Sequence, residues 1–102
     1  MSNTYHFSEI EFYTLLALKA DTPSNKIGER ILEISNGKVV MKKGTLHNLL
    51  IRLESMELIR ETGQVNEKTR RYMITSRGNE VLLADYDMLV RMIYDASAIL
   101  VK

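Results

Sequence analysis

The 102-residue chain contains no cysteine and no tryptophan, a single proline (Pro23), five glycines and two histidines. Without cysteine there is neither a disulfide nor a thiolate zinc site to stabilise it, a composition that fits a reducing cytoplasm. His6 and His47 alone do not make a transition-metal site, so no metal and no cofactor are expected. The glycines (Gly28, Gly37, Gly44, Gly63 and Gly78) stand singly at helix ends and turns, so no phosphate-cradling loop is formed. No Ser–His–acid arrangement and no paired buried carboxylates can be read either, and the chain is not expected to be an enzyme. No apolar stretch reaches the ~18 residues of a membrane span. Met1 to Phe7 lacks a charged region followed by an apolar run, the mark of a signal peptide. A soluble cytoplasmic protein with no membrane partner is expected.

What is present is a chain of one-domain size in which 45% of residues are hydrophobic, enough for a compact core. The formal net charge of +1 hides an uneven distribution. Residues 1–37 hold three basic and five acidic side chains, and residues 78–102 hold two basic and four acidic. Between them, residues 38–77 hold nine basic and four acidic. Local potential steers a polyanion more than total charge does.

Ser8-Glu9-Ile10-Glu11 has the form of a capping box and starts a first helix with a wide apolar face (Ile10, Tyr13, Leu15, Leu16, Leu18), ending near Ala20. Thr22 as cap and Pro23 at the first helical position start a second helix, with Ile27, Ile31, Leu32 and Ile34 as its apolar stripe. Asn36-Gly37 closes it, since both residue types tolerate a left-handed conformation. An extended link, Lys38 to Met41, leads to a third helix from Lys42 to about Met56. Leu46, Leu49, Leu50 and Leu53 fall within a ~100° arc facing the core, and Thr45, Asn48, Arg52 and Ser55 fall opposite. Residues 57–60 and 71–74 read as two strands, with Tyr72 and Ile74 inward and Arg71 and Met73 outward.

A fourth helix runs from about Ser76 to Leu100. Of the 23 residues from Asn79 to Val101, 16 are apolar, which leaves only a narrow charged strip at Glu80, Asp87, Arg91 and Asp95. At ~37 Å it outruns a core of this size. Leu82, Tyr86, Leu89, Ile93, Ala96 and Leu100 follow the alternating spacing of packed helices. A helix apolar nearly all round must be buried nearly all round, and a second copy of the chain is the simplest cover. The expected interface residues are Leu16, Leu82, Tyr86, Leu89, Ile93 and Leu100.

The order helix, short strand, basic turn, strand describes a winged helix-turn-helix. The expected class is mainly α with a small β-wing: three helices and a two-stranded hairpin over residues 1–75, then a dimerisation helix over residues 76–102, in one compact unit. Thr45 and Asn48, with Arg52, are candidate contacts to bases in a DNA major groove, where Asn pairs with adenine and Arg with guanine. His47 on the flank is a candidate phosphate or groove contact. Lys42 and Lys43 sit where free helix amides also favour phosphate. Lys68, Arg70 and Arg71 belong to the wing, and Lys26 is placed to hold a flanking phosphate. A winged helix that docks a protein instead of DNA is the alternative, since Glu54, Glu57, Glu61 and Glu67 dilute the basic surface.

Ile27-Gly28-Glu29-Arg30-Ile31, Asn36-Gly37-Lys38, Gly44-Thr45-Leu46-His47, Arg52-Leu53-Glu54, Leu58-Ile59, Arg71-Tyr72-Met73-Ile74-Thr75 and Gly78 stand in the order and spacing of PadR-like transcriptional regulators. The chain resembles that family over residues 10–95, and in length its short subgroup, where one C-terminal helix forms the dimer. Two positions depart from the pattern. His47 replaces the usual aromatic, which puts a tyrosine-mediated backbone contact in question, and Glu57 replaces the usual glycine before the wing. The resemblance implies a homodimeric repressor on a pseudo-palindromic operator. Some short members bind flat aromatic drugs at the dimer interface beside a tryptophan of the last helix. Here Leu89 falls at about that place, with Tyr86 one turn earlier, so a small-molecule inducer at the interface is an expected partner only without that stacking residue.

Overall fold

The computed structural model describes residues 7–101. His6 and most of the N-terminal stretch read for a signal peptide lie outside the described residues. The chain forms α1 (Glu9–Ala17), β1 (Thr22–Pro23), α2 (Ile27–Ile34), α3 (Lys43–Ser55), β2 (Ile59–Gln64), β3 (Arg70–Ile74) and α4 (Ser76–Leu100). The three strands form one antiparallel sheet in the order β1-β3-β2.

The capping box at Ser8 is complete. The Ser8 hydroxyl accepts from the Glu11 amide, and the Glu11 carboxylate accepts from the Ser8 amide at 2.8 Å. The helix stops at Ala17, earlier than the sequence suggests, because β3 and α2 claim its last carbonyls. The Ile74 amide donates to Leu18 O at 2.8 Å, and Arg30 Nε donates to Ala17 O at 3.1 Å.

Thr22 and Pro23 do not start the second helix. They form an edge strand against Tyr72 and Arg71, so the sheet has three strands where the sequence suggested a two-stranded hairpin. Pro23 sits at φ −64°, ψ 144°, an extended conformation its ring permits, and an edge position tolerates the missing donor. The Thr22 hydroxyl bonds back to Ala20 O instead of capping. A single 3-10 turn, Ser24–Lys26, then leads into α2. Of the expected α2 stripe, Ile27 and Ile31 are buried while Leu32 and Ile34 remain exposed.

Helices α2 and α3 end in the same way. After α2, Asn36 adopts φ 56°, its amide bonds Glu33 O, and the Gly37 amide reaches Leu32 O. After α3, Glu57 adopts φ 62°, its amide bonds Glu54 O, and the Leu58 amide reaches Leu53 O. Both are Schellman closures, which put a left-handed residue just past the helix and pair orphan carbonyls. Leu53 and Leu58, both buried, add the apolar contact typical of the motif. The left-handed position after α3 is occupied by a residue with a Cβ, which costs roughly 1 kcal/mol.

The core is one cluster in which Leu15 and Leu18 of the α1 region, Ile27 and Ile31 of α2, and Leu46, Leu49, Leu50 and Leu53 of α3 meet Leu58, Ile59, Ile74 and Leu82. The four α3 leucines are the ones the helical wheel turned inward. Helix α4 joins this core only through its first turns. Thr75 caps it, accepting from the Gly78 amide at 2.9 Å, and beyond Asp85 no described residue of the helix is buried. A Cβ on Gly78 would stand 2.1 Å from Leu58 O, so only glycine lets α4 approach the α3–β2 joint.

Two substitutions test this packing by urea denaturation. Gly78→Ala is expected to lower stability by at least ~2 kcal/mol through overpacking against backbone. Glu57→Gly is expected to raise it by about 1 kcal/mol, by relieving the left-handed Cβ.

Candidate nucleic-acid interface

At about 3.6 residues per turn, Gly44, Asn48, Ile51 and Ser55 lie within roughly 30° of the line pointing away from the core leucines of α3. Thr45 and Arg52 stand roughly 70–90° off that line, on the flank. Thr45, His47 and Asn48 are exposed, and their side chains make no hydrogen bond to any described residue. The helix starts at Lys42 without a side-chain cap, which leaves its first-turn amides open beside the exposed Lys42 and Lys43. Of the expected contacts Asn48 lies nearest the outward line, Thr45 and His47 stand on opposite flanks of it, and Lys42 and Lys43 are at the helix start.

Arg52 is placed differently. Its guanidinium donates to Oε2 of Glu11, whose other oxygen serves the α1 capping box. The Glu11 side chain is only 5% exposed, whereas that of Arg52 is 54% exposed. A carboxylate this deeply buried needs its partners, so releasing Arg52 into a groove would strip charge compensation from the interior. Arg52 thus ties α3 to α1, and a guanine contact from it would have to compete with this pair. The sequence marks Glu11 as a capping residue but gives no sign of a partner 41 positions away.

The wing shows the same division. Its tip is closed by Asn66 Oδ1, which accepts from the Lys68 and Thr69 amides, both at 2.9 Å. Arg70 grips both Glu61 oxygens at 2.9 Å across the β2–β3 ladder. Arg71 reaches Asp21 at 3.1 Å, and the same carboxylate oxygen accepts from Thr62 at 2.8 Å. Arg71 thus anchors the wing root to the loop before β1 and is not extended toward solvent. Lys68 alone of the three expected wing cations has no ion pair among the described residues. Lys26 lies in the turn before α2, paired with Glu29 at 3.4 Å on the surface. A loose exposed pair of this kind is easily exchanged for another anion. Burial pushes the Tyr72 hydroxyl above its ordinary range, with Glu54 and Glu61 adding to the rise and Arg70 opposing it, so this wing residue stays uncharged through neutral pH.

No family model matches this chain, and no curated protein matches it. Solved structures do. A transcriptional regulator from Clostridium thermocellum superposes with a TM-score of 0.72 at 22% identity, covering 91% of this chain and 93% of that one. A PadR family transcription regulator from Clostridium difficile gives 0.68 at 24% identity, covering 89% and 96%. RosR of H. salinarum gives 0.73 at 16% identity, covering 88% and 80%. The chain has the winged-helix fold. Within it, β2–β3 forms the wing and α3 is the helix that precedes it. Among the described residues, no helix is long and apolar enough to cross a membrane. Nor does any group of three or more His, Cys, Asp or Glu residues stand ready to hold a metal ion.

Ile51 also lies near the outward line of α3, a position set by the same spacing that turns the four leucines inward. A double-mutant cycle of Glu11→Gln and Arg52→Gln in urea unfolding checks the role given to Arg52. The expected coupling is about 1–2 kcal/mol, and near-additivity of the two single changes would return Arg52 to the free surface.

Proposed function

We propose that this protein is a sequence-specific DNA-binding transcriptional regulator, a PadR-like homodimeric repressor acting on a pseudo-palindromic operator in the cytoplasm. The observation that carries this reading is the sorting of its charges. Arg30, Arg52, Arg70 and Arg71 brace the fold, whereas Lys42 and Lys43 at the α3 start and Lys68 at the wing tip, like the exposed Arg60 and Arg77, have no partner among the described residues. A polyanion approaching α3 meets unpaired positive charge at the helix start and at the wing tip, on either side of Asn48. Phosphates fix the register, and Asn48 is placed to read a base edge.

The second chain is supplied by α4. Tyr86, Leu89, Ile93 and Leu100 of the expected seam are exposed, together with Leu83, Val90 and Tyr94. Apolar surface in that amount on one helix marks an interaction site. Leu82 is 4% exposed and belongs to the protomer's own core, and Leu16 is half-buried beneath the helix, so the interface begins at about Leu83. A cleft of about 330 Å³ between the start of α1 and α4, lined by Phe7, Phe12, Tyr13, Asp85, Met88 and Leu89, is where a small-molecule inducer would bear on both helices.

Fluorescence anisotropy with promoter-region duplex at rising salt tests the DNA reading. If the three lysines of each subunit meet phosphate, log K falls with log salt at a slope of about −5. Lys68→Ala should reduce that slope by about two per dimer, while Arg70→Ala, already neutralised by Glu61, should change it little. A flat salt dependence, or no binding at ~50 mM salt, contradicts the reading. Truncation after Tyr86 should give folded monomers by sedimentation, because nothing beyond it is buried in the protomer; an intact dimer would place the interface elsewhere.

A further inference from the structure

Ile51 is an exposed aliphatic residue on an otherwise polar stretch of α3. It sits near the middle of the outward face of α3, 55% exposed, one turn beyond His47 and Asn48. Two turns before it on the same face is Gly44, where a Cβ would meet nothing within 4 Å, so no side chain stands between the helix and an approaching surface. The face is therefore small at Gly44, amide-bearing at Asn48 and branched apolar at Ile51, with Lys42 and Lys43 at its start.

Resting on the DNA reading, we infer that Ile51 is a specificity-determining residue that packs on the 5-methyl group of thymine in the major groove. The major groove presents one apolar feature, that methyl group, and it lies on the same edge of the duplex as the adenine N6 and N7 that an Asn amide pairs with. Asn48 and Ile51 are three residues apart and so neighbours along one helix face, which brings them over adjacent base pairs. A charged or amide side chain at position 51 would select a hydrogen-bonding edge, and isoleucine has no group to do so. An aliphatic side chain left 55% exposed amid polar neighbours gains from contact with a methyl and from nothing else the groove offers. The half-site is accordingly expected to contain an A·T pair read by Asn48 next to a thymine covered by Ile51.

The test separates this inference from the DNA reading it stands on. Duplexes enriched from a random pool by the full chain are resynthesised with each thymine replaced singly by deoxyuridine, which removes the methyl and keeps every hydrogen bond. One position per half-site is expected to lose about fourfold in affinity, the worth of burying a single methyl group. Ile51→Ala should bind the thymine and uracil duplexes equally at that position, while Ile51→Val should retain part of the discrimination. Because Ile51 is outside the core, both variants should melt like the parent protein. Enriched duplexes with no uracil-sensitive position, or an Ile51→Ala variant that still discriminates, overturn the inference and leave DNA binding intact. Failure to enrich any duplex overturns both.

Discussion

The orientation of α3 depends on a backbone joint of four residues. Glu57 and Leu58 close α3, and Thr75 and Gly78 open α4. The Thr75 amide donates to Leu58 O at 3.0 Å, and its hydroxyl donates to Glu57 O at 2.7 Å while accepting from the Gly78 amide. One threonine thus caps α4 and holds the C-terminal closure of α3. Gly78 permits the contact, since any side chain there would strike the Leu58 carbonyl. The joint ties the two helices together through backbone atoms and one hydroxyl, and backbone atoms have little freedom to shift. If α4 is where two chains meet, the direction in which each α3 points is settled by this joint and not by the wing.

The cations around this frame divide into engaged and unpaired ones. Arg30 holds the end of α1, Arg52 the buried Glu11, Arg70 the β2–β3 ladder and Arg71 the loop before β1. The planar guanidinium suits these fixed, often bidentate contacts. Lys42, Lys43 and Lys68 are compact charges on flexible stems, suited to following a phosphate backbone. A residue count treats all of these as one basic patch. The structure separates a rigid set that positions α3 and the wing from an unpaired set, to which the exposed Arg60 and Arg77 also belong.

Much of this was legible in the sequence, for local reasons. The capping box at Ser8, the inward leucines of α3, the Asn36-Gly37 closure and the limits of α4 all follow from spacing within one or two turns. What escaped was non-local. Thr22-Pro23 has a good helix-start pattern, but β3 offers it ladder bonds, and pairing overrode the local preference. Arg52 falls on an exposed flank by periodicity, and only the fold brings Glu11 to it. Leu82 keeps the seam spacing of α4 yet lies where α4 still touches its own core, so periodicity alone could not assign it to one side or the other. Ile51 is the converse case: its outward position follows from periodicity, although its residue type is that of a core position.

The central claim is that α4 pairs two chains and that the Thr75 joint holds their α3 faces one groove repeat apart. Because the chain has no cysteine, Asn48→Cys places a single spin label at the centre of each face. Dipolar electron resonance on the free protein measures the separation directly. The account predicts one narrow distribution near ~34 Å, the spacing of successive major grooves. Absence of dipolar coupling, or a distribution centred well away from that spacing, would contradict it.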